Sequence, residues 1–422
     1  MPTRYLTNIP RKLRAKVHLP ASKSLSNRAL VLRALSSTPA NTIDGLSKAT
    51  DTLIMARLLE ARPEVGDVAD AGTAMRFLTA FFAFIPGSRI LKGSDRMHRR
   101  PIGPLVDALR QLDARIQYLD VAGFPPLHIE GGTMKGGQAW VSGALSSQFA
   151  SALLMLGPFL PDGLTLRLLP PLVSRPYLDM TCRLMQSLGL PVQGSSPEYR
   201  CHPVVHFDFP DFVVEPDWSA AIFWSALLTH MDMGSKVILP GLSRSSLQGD
   251  ARTISLMEPF GVFAREHKEG LELVKKSHSV NPREALCYDM VDVPDLIPPL
   301  VATCLVHGVP FQVKGTQTLR DKECDRIDAL EDLAACLGLK LEASHHQLAS
   351  NYAPDARPAT TRPTTFNARN DHRMVMSGVL VAARFPFVGI THVSAVAKSY
   401  PQFWNELYRL GFEYKDYIPA RP

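Results

Sequence analysis

Long apolar runs are missing from this chain. Its most hydrophobic stretches are broken by Arg, Pro or Gly before reaching the roughly 20 residues that span a bilayer, so no membrane role is expected. The opening MPTRYLTNIPRKLRAKVHLP has basic residues but no continuous apolar segment and no small-residue cleavage pattern, and a secretory signal is not expected. Cysteine is sparse. The six present (Cys182, Cys201, Cys287, Cys304, Cys324, Cys336) include no CxxC pair, which excludes the usual zinc ribbon and supplies no disulfide framework. A reducing, cytoplasmic setting fits that pattern. A Walker loop, a GxGxxG fingerprint and a GxSxG elbow are also absent, and no HxxxH pair accompanies His372. No metal and no nucleotide cradle are expected. Two basic clusters, Arg11/Lys12/Arg14/Lys16 and Arg96/His98/Arg99/Arg100, lack the interleaved aromatics on which a single-strand binder stacks bases, so no nucleic-acid partner is expected.

What remains describes a large globular chain. With 422 residues, 45% hydrophobic and 20% charged, it can bury more than one core, and two domains are expected. Its 34 prolines enforce many turns. Short strand-like runs alternate with helical ones: RAKVHLP before RALVLRALS, LTLRLLP before YLDMTCRLMQSLGL, KVILPG before ARTISLMEPFG, PFQVKG before RIDALEDLAACLGL. Mixed α/β is the class this implies. Several units share one recipe: a strand, a polar turn bearing Ser or Arg, then a helix ending at Leu-Gly, as at Leu188–Gly189 and Leu337–Gly338. NYAPDARPATTRPTTFNARN reads as a loop, and a domain break is expected near DFPDFVVEPDWSAA.

The polar turns hold the candidate chemistry. In LPASKSLSNRALVLRAL an apolar helix is expected from about Ala29, with Ser22, Ser24 and Ser26 as candidate caps. Lys23 and Arg28 are cations at a helix end that already carries partial positive charge, which makes sense if an anion sits among them; solvated surface residues beside a cap are the alternative. DAGTAMRFLTAFFAF repeats the arrangement, with Gly72 for close backbone approach, Thr73 for a hydroxyl and Arg76 for a two-pronged donor; a Gly-containing turn whose arginine faces water is the alternative. MHRRPIG places Arg100 before Pro101. Ser146, Ser147 and Gln148 precede another apolar helix, either as donors to phosphate or polyol or with one serine as an N-cap. Ser174, Arg175 and Tyr177 form a further pre-helix turn. In LRDKECDRIDALEDL, Lys322, Glu323, Asp325 and Arg326 gather both signs at a helix start, either for proton transfer at Glu323 or as a solvated charged turn. Asp371, His372 and Arg373 precede another apolar helix, Asp295 lies between prolines, and Lys398 lies near the end. At a net charge of +6, six or more such ends brought together would make a concentrated positive field for a small polyanion.

SKSLSNR, DAGTAMR, RPIG, SSQF, SRPY, DKECDR, NDHRM and AKSYP, in that order from about residue 18 to about residue 405, closely resemble the 5-enolpyruvylshikimate-3-phosphate synthase family. The resemblance implies a two-domain inside-out α/β barrel built from repeated βαβαββ units, with the active site in the interdomain cleft. One domain would comprise residues 1–20 and 216–422, the other 21–215. It implies transfer of the enolpyruvyl group of phosphoenolpyruvate to the 5-hydroxyl of shikimate 3-phosphate by addition and elimination. No cofactor is implied, and the chain would work as a cytoplasmic monomer. By the match, Lys23, Ser24 and Arg28 contact shikimate 3-phosphate, Lys23 also reaching phosphoenolpyruvate. Ser146, Ser147, Gln148 and Ser174 hold the ring and its phosphate. Gly72, Arg76, Arg100, Arg326, Arg373 and Lys398 bind phosphoenolpyruvate, with help from Gln148. Asp295 handles the 5-hydroxyl proton, with Lys322 beside it on the shikimate side, and Lys23 and Lys322 are counted among the catalytic residues. Glu323, beside Lys322, protonates and later deprotonates the methyl carbon.

The chain departs from the family pattern at several points. Asp70 replaces a common Asn and Phe77 a common Pro, both expected to reshape the phosphoenolpyruvate pocket. Asp321 replaces a common Val, and EPDWSAA replaces Gly-Asp-x-Ser-Ser. The stretch from Asp51 to Asp70 is short, so part of one repeat is expected to be missing. The neighbouring transferases acting on UDP-N-acetylglucosamine generally carry a loop cysteine near their RP motif. Here the first cysteine is Cys182, far from Arg100. A non-catalytic anion- or RNA-binding protein is the alternative from another class.

Overall fold

The computed structural model describes residues 2–37, 41–277, 285–353 and 362–417; residues 354–361 of the Pro/Thr-rich segment read above as a loop lie outside them. Two compact units emerge. One comprises Ala21–Glu215 with Leu247–Gly249, the other Met1–Pro20, Pro216–Ser246 and Asp250–Pro422.

The 21–215 unit contains helices α1 (Lys23–Ala34), α2 (Thr50–Ala61), α3 (Gly72–Phe84), α4 (Gly103–Arg110), α5 (Ser147–Leu156) and α6 (Arg175–Ser187). One four-stranded sheet runs Val65–Asp67, Gly87–Lys92, Leu127–Gly131, Arg115–Tyr118, and a second runs Val192–Ser195, Glu198–Cys201, Leu164–Leu169, Gly137–Ser142. The third sheet is only a parallel pair, Ile43–Asp44 with Phe212–Val213. That reduction sits where the chain is short: α2 leads directly into Val65–Asp67, which pairs with Gly87–Lys92 in a different sheet.

The 216–422 unit contains α7 (Trp218–Leu228), α8 (Thr253–Met257), α9 (Ile297–His307), α10 (Arg326–Ala335), α11 (His372–Arg384) and α12 (Phe403–Arg409). Its three sheets each have four strands: Thr364–Phe366, Val388–Ile390, Thr3–Asn8, Glu413–Tyr417; Val262–His267, Gly270–Lys275, Lys236–Pro240, Arg14–Lys16; and Leu286–Asp289, Phe311–Lys314, Gln347–Ser350, Leu341–Ala343.

In both units helices fill the interior and strands turn one face outward. The segment LTLRLL alternates, burying Leu164, Leu166 and Leu168, and Leu166 lies opposite the buried Ala139 of the neighbouring strand. Helices apolar on every side are instead enclosed. Gln148 is the one residue of α5 that is not buried, and in α3 the two are Thr73 and Phe84. The less buried residues lie at the ends of these helices, Gln148 and Thr73 at the amino ends and Phe84 at the carboxyl end. The Leu-Gly pairs end their helices as expected, with Gly189 at φ +82° and Gly338 at φ +71°.

Two expectations about α1 fail. The helix starts at Lys23 rather than near Ala29, and of three candidate caps only Ser22 acts, its Oγ accepting from Leu25 N–H. Ser24 and Ser26 lie inside the helix, where Ser26 Oγ accepts from Ser47 N–H at 3.0 Å. Among the described residues no helix is long and apolar enough to cross a membrane.

Candidate active site

In the 21–215 unit, side chains from α1, α3, α5 and α6 are linked, some at helix amino ends and others, such as Arg28 and Thr181, inside their helices. Lys23, at the start of α1, donates to Asp51 Oδ2 at 2.9 Å; Asp51 lies in the first turn of α2 and is buried. One turn on, Arg28 is 2% exposed. Its Nε donates to Thr181 Oγ1 at 2.6 Å, its Nη1 to the Ser24 carbonyl at 2.9 Å, and its Nη2 to Ser151 Oγ and the Tyr177 carbonyl, both at 3.2 Å. Among the described residues no carboxylate pairs with this guanidinium. Burial pushes it down to about 10, the reverse of what a salt bridge would do. Phe77 lies under it, ring centroid 5.3 Å from Cζ, so this departure touches the Arg28 group.

Gly72 opens α3 beneath Arg100. A Cβ at that position would lie 2.5 Å from Arg100 Nη1 and 2.8 Å from Nη2, so only glycine lets the guanidinium lie on the helix start. Arg76 is 3% exposed and donates to the Gly72 and Pro101 carbonyls, both at 3.1 Å, tying the RPIG turn to α3. Gln148 Nε2 donates to Thr73 Oγ1 at 3.3 Å, joining the starts of α5 and α3. Ser146 is the N-cap of α5, accepting from Gln148 N–H at 3.2 Å, and Ser147 is the first helical residue. Ser174 precedes α6 at φ +56°, left-handed backbone unusual for a residue with a side chain, and its hydroxyl does not cap the helix. Asp70, the other departure here, accepts from Ser94 Oγ.

The 216–422 unit brings a second set together. Asp295 lies on a 3-10 turn, Pro294–Leu296, leading into α9. Its Oδ1 meets Lys322 Nζ at 3.2 Å and Arg326 Nη1 at 2.9 Å; its Oδ2 meets Arg373 Nη2 at 3.2 Å. Burial alone would raise this carboxyl, but Arg373, Lys322 and Arg326 together hold it well below the usual range. Arg326, 1% exposed, is the hub of the cluster: besides Asp295 it meets Asp371 at 2.8 Å through Nε and Glu323 at 2.9 Å through Nη2. Burial works to lower it, yet Asp371, Glu323 and Asp295 hold it well above the usual guanidinium value. Asp371 is also the N-cap of α11, accepting from Arg373 and Met374 N–H, so one carboxylate fixes both a helix start and the hub. Burial opposes ionisation of Asp371 too, and Arg326 reverses the effect. Lys398 Nζ donates to the Asn370 carbonyl at 2.9 Å, just ahead of Asp371. Three cations (Lys322, Arg326, Arg373) therefore interleave with three acids (Asp295, Glu323, Asp371).

Lys322 and Glu323 precede α10 rather than starting it. Asp325 is the cap, accepting from Ile327 and Asp328 N–H, and Asp321 closes a short turn, Leu319–Asp321. In EPDWSAA, Asp217 caps α7. Sequence reasoning passed over Asp51, Ser151 and Thr181, and gave Asp371 no role. Asp371 had a usable signal, an Asp directly before an apolar helix. The others had none, being 28 residues from Lys23 in the first case and 123 and 153 from Arg28 in the others.

A family model described as EPSP synthase (3-phosphoshikimate 1-carboxyvinyltransferase) matches residues 7–62 and 59–407. A 3-phosphoshikimate 1-carboxyvinyltransferase of Bacteroides fragilis strain YCH46 is 40% identical over 420 residues, covering 98% of this chain and 99% of the relative. One from Methanospirillum hungatei is 30% identical, covering 93% and 94%. Among solved structures, an EPSP synthase from Acinetobacter baumannii superposes with a TM-score of 0.73 over 99% of this chain and 100% of that one; at 19% identity it speaks to the fold alone. Matched along almost its whole length in sequence and fold, the chain belongs to the EPSP synthase (3-phosphoshikimate 1-carboxyvinyltransferase) family.

Proposed function

We infer that this chain transfers the enolpyruvyl group of phosphoenolpyruvate to the 5-hydroxyl of shikimate 3-phosphate, releasing phosphate, as a step of the shikimate pathway to aromatic amino acids. One observation supports the reading beyond the family match: Asp295 is held ionised by Lys322, Arg326 and Arg373, with Glu323 on the same hub. The reaction needs a carboxylate for a hydroxyl proton, a second acid for a carbon, and cations for phosphate and carboxylate.

In the addition step the 5-oxygen bonds to C2 of phosphoenolpyruvate while C3 takes a proton. In elimination the bond from C2 to the phosphate oxygen breaks and C3 gives the proton back. Glu323, beside Lys322, carries the C3 proton and Asp295 takes the hydroxyl proton. Asp295 is a weak base while its cations are engaged with it. Substrate anions arriving on Lys322 and Arg373 draw them off and raise its basicity where deprotonation is needed. Lys23, Ser24 and Arg28, with Ser146, Ser147 and Ser174, hold shikimate 3-phosphate. Gly72, Arg100, Arg373 and Lys398 receive phosphoenolpyruvate, and Lys23 and Gln148 serve both. Arg76 and Arg326, engaged with carbonyls and carboxylates in the free chain, meet ligand by exchanging those partners. The two substrates are the chain's partners, and it acts as a cytoplasmic monomer without nucleic acid. Residues 21–215 form one enolpyruvyl-transferase domain, and residues 1–20 with 216–422 the other.

The test is phosphate release from purified protein given both substrates, with UDP-N-acetylglucosamine substituted for shikimate 3-phosphate as control. Release is expected only with shikimate 3-phosphate. Glu323→Gln should cut it by about 10³-fold while the circular dichroism spectrum is unchanged. A wild-type chain that releases no phosphate above background overturns the reading.

A further inference from the structure

The guanidinium of Arg28 is buried without an acid, and neutral oxygens alone hold it. Those oxygens are not spread evenly. Thr181 Oγ1, Ser151 Oγ and the Tyr177 carbonyl all take the edge formed by Nε and Nη2, and only the Ser24 carbonyl takes a proton from Nη1. Thr181 and Ser151 are themselves fully buried and 2.9 Å apart, hydroxyl to hydroxyl. Thr181 also lies 3.0 Å from the Tyr177 carbonyl, so its single proton goes to Ser151 or to Tyr177 while its lone pair faces Arg28 Nε.

We propose that Thr181 and Ser151 are positioning residues: a buried hydroxyl pair that anchors one edge of Arg28 so that Nη1, one of its two hydrogens taken by Ser24, presents the other to the anionic sugar-like substrate. The claim rests on the role given to Arg28 above and goes beyond it, because neither hydroxyl touches substrate. An arginine side chain has four rotatable bonds and would otherwise sample several directions. A carboxylate could aim the guanidinium equally well, but it would offset the charge that an anionic substrate is meant to find. Hydroxyls accept from the guanidinium while leaving its charge whole. The 2.6 Å bond to Thr181 is the shortest of the four, which makes that residue the principal anchor.

Thr181→Val keeps the shape and removes the acceptor, and Thr181→Ser restores it. For the valine variant we expect KM for shikimate 3-phosphate to rise about tenfold or more, with KM for phosphoenolpyruvate changed less than about twofold and the serine variant within about threefold of wild type. A readout free of turnover is the Arg28 Nε–H resonance in selectively labelled protein. It should be protected from solvent exchange in wild type and Thr181→Ser and lost or broadened in Thr181→Val. An unchanged resonance in the valine variant overturns the proposal, whatever the activity. So does an equal rise in both KM values, which would indicate loosened packing. If wild type shows the protected resonance yet releases no phosphate, the anchoring stands and the reaction assignment falls.

Discussion

Gly72 and Arg100 show how one missing methyl group sets where a guanidinium lies. The atoms a Cβ would strike belong to the far end of a long side chain, so Gly72→Ala displaces the guanidinium rather than the backbone. Alanine is also the better helix former, and Gly72 is the first residue of α3. The variant should therefore melt no lower than wild type. Its KM for phosphoenolpyruvate should rise about tenfold or more with little change in kcat, checked by steady-state kinetics beside a thermal melt. A fall in melting point with unaltered KM would mean that Arg100 contributes packing alone.

Among the helices, the carboxyl ends of α7 and α9 carry a basic cluster the reaction does not use. His230 stacks on His307 at 5.2 Å, His307 bonds Thr229 at 2.9 Å, and Lys275 and Arg384 lie close enough to repel both imidazoles. Burial first, then those charges, pushes His307 down to about 3 and His230 well below its usual value. Folded protein thus keeps both rings neutral where an unfolded chain would protonate them. Stability present above about pH 6.5 is lost as pH falls toward 3, at up to roughly 1.4 kcal/mol per pH unit for each ring. Asp295 and Asp371, both held low, add losses only below the ordinary carboxylate range. Both ring nitrogens of His230 lack a hydrogen-bond partner among the described residues, so His230→Phe keeps the stack and breaks no bond. Urea midpoints at pH 7.5, 6.0 and 4.5 should show a shallower acid loss in that variant. An identical slope would place the sensitivity elsewhere.

Element type was readable from the sequence wherever burial follows periodicity, as in LTLRLL or RIDALEDLAACLGL. It failed at the start of α1 for a physical reason. Ser26, Asn27 and Arg28 are buried polar residues, so the apolar pattern begins at Ala29 although the helix begins two turns earlier. The same polarity that hid the helix start marked the candidate site. Lys23, Arg100, Lys322 and Arg373 could be singled out because cations at helix amino ends contradict the dipole. The partners of Lys23 and Arg28, Asp51 for the first and Thr181 and Ser151 for the second, are ordinary in sequence and are met only through long-range folding.

For the molecule as a whole, the net charge of +6 is small for 422 residues, so local groups of cations rather than a general positive surface are expected to draw the substrates. Raising salt from 0.02 to 0.5 M shortens the screening length from roughly 20 Å to roughly 4 Å. KM for both substrates should rise several-fold while kcat at saturation changes less than about twofold, measured in chloride to avoid competing phosphate or sulfate. A kcat that collapses with salt would instead point to damage to the Asp295 cluster itself.

That cluster has one more consequence. Because Asp295, Glu323 and Asp371 already occupy the cations around them, the resting chain carries its own competitors for incoming ions. Chloride or a stray carboxylate offers too little charge to displace a tethered acid at such close range, whereas a doubly charged phosphate does. Weak anions are therefore expected to bind this cluster less readily than a doubly charged ligand, which brings more charge to compete with the tethered acids.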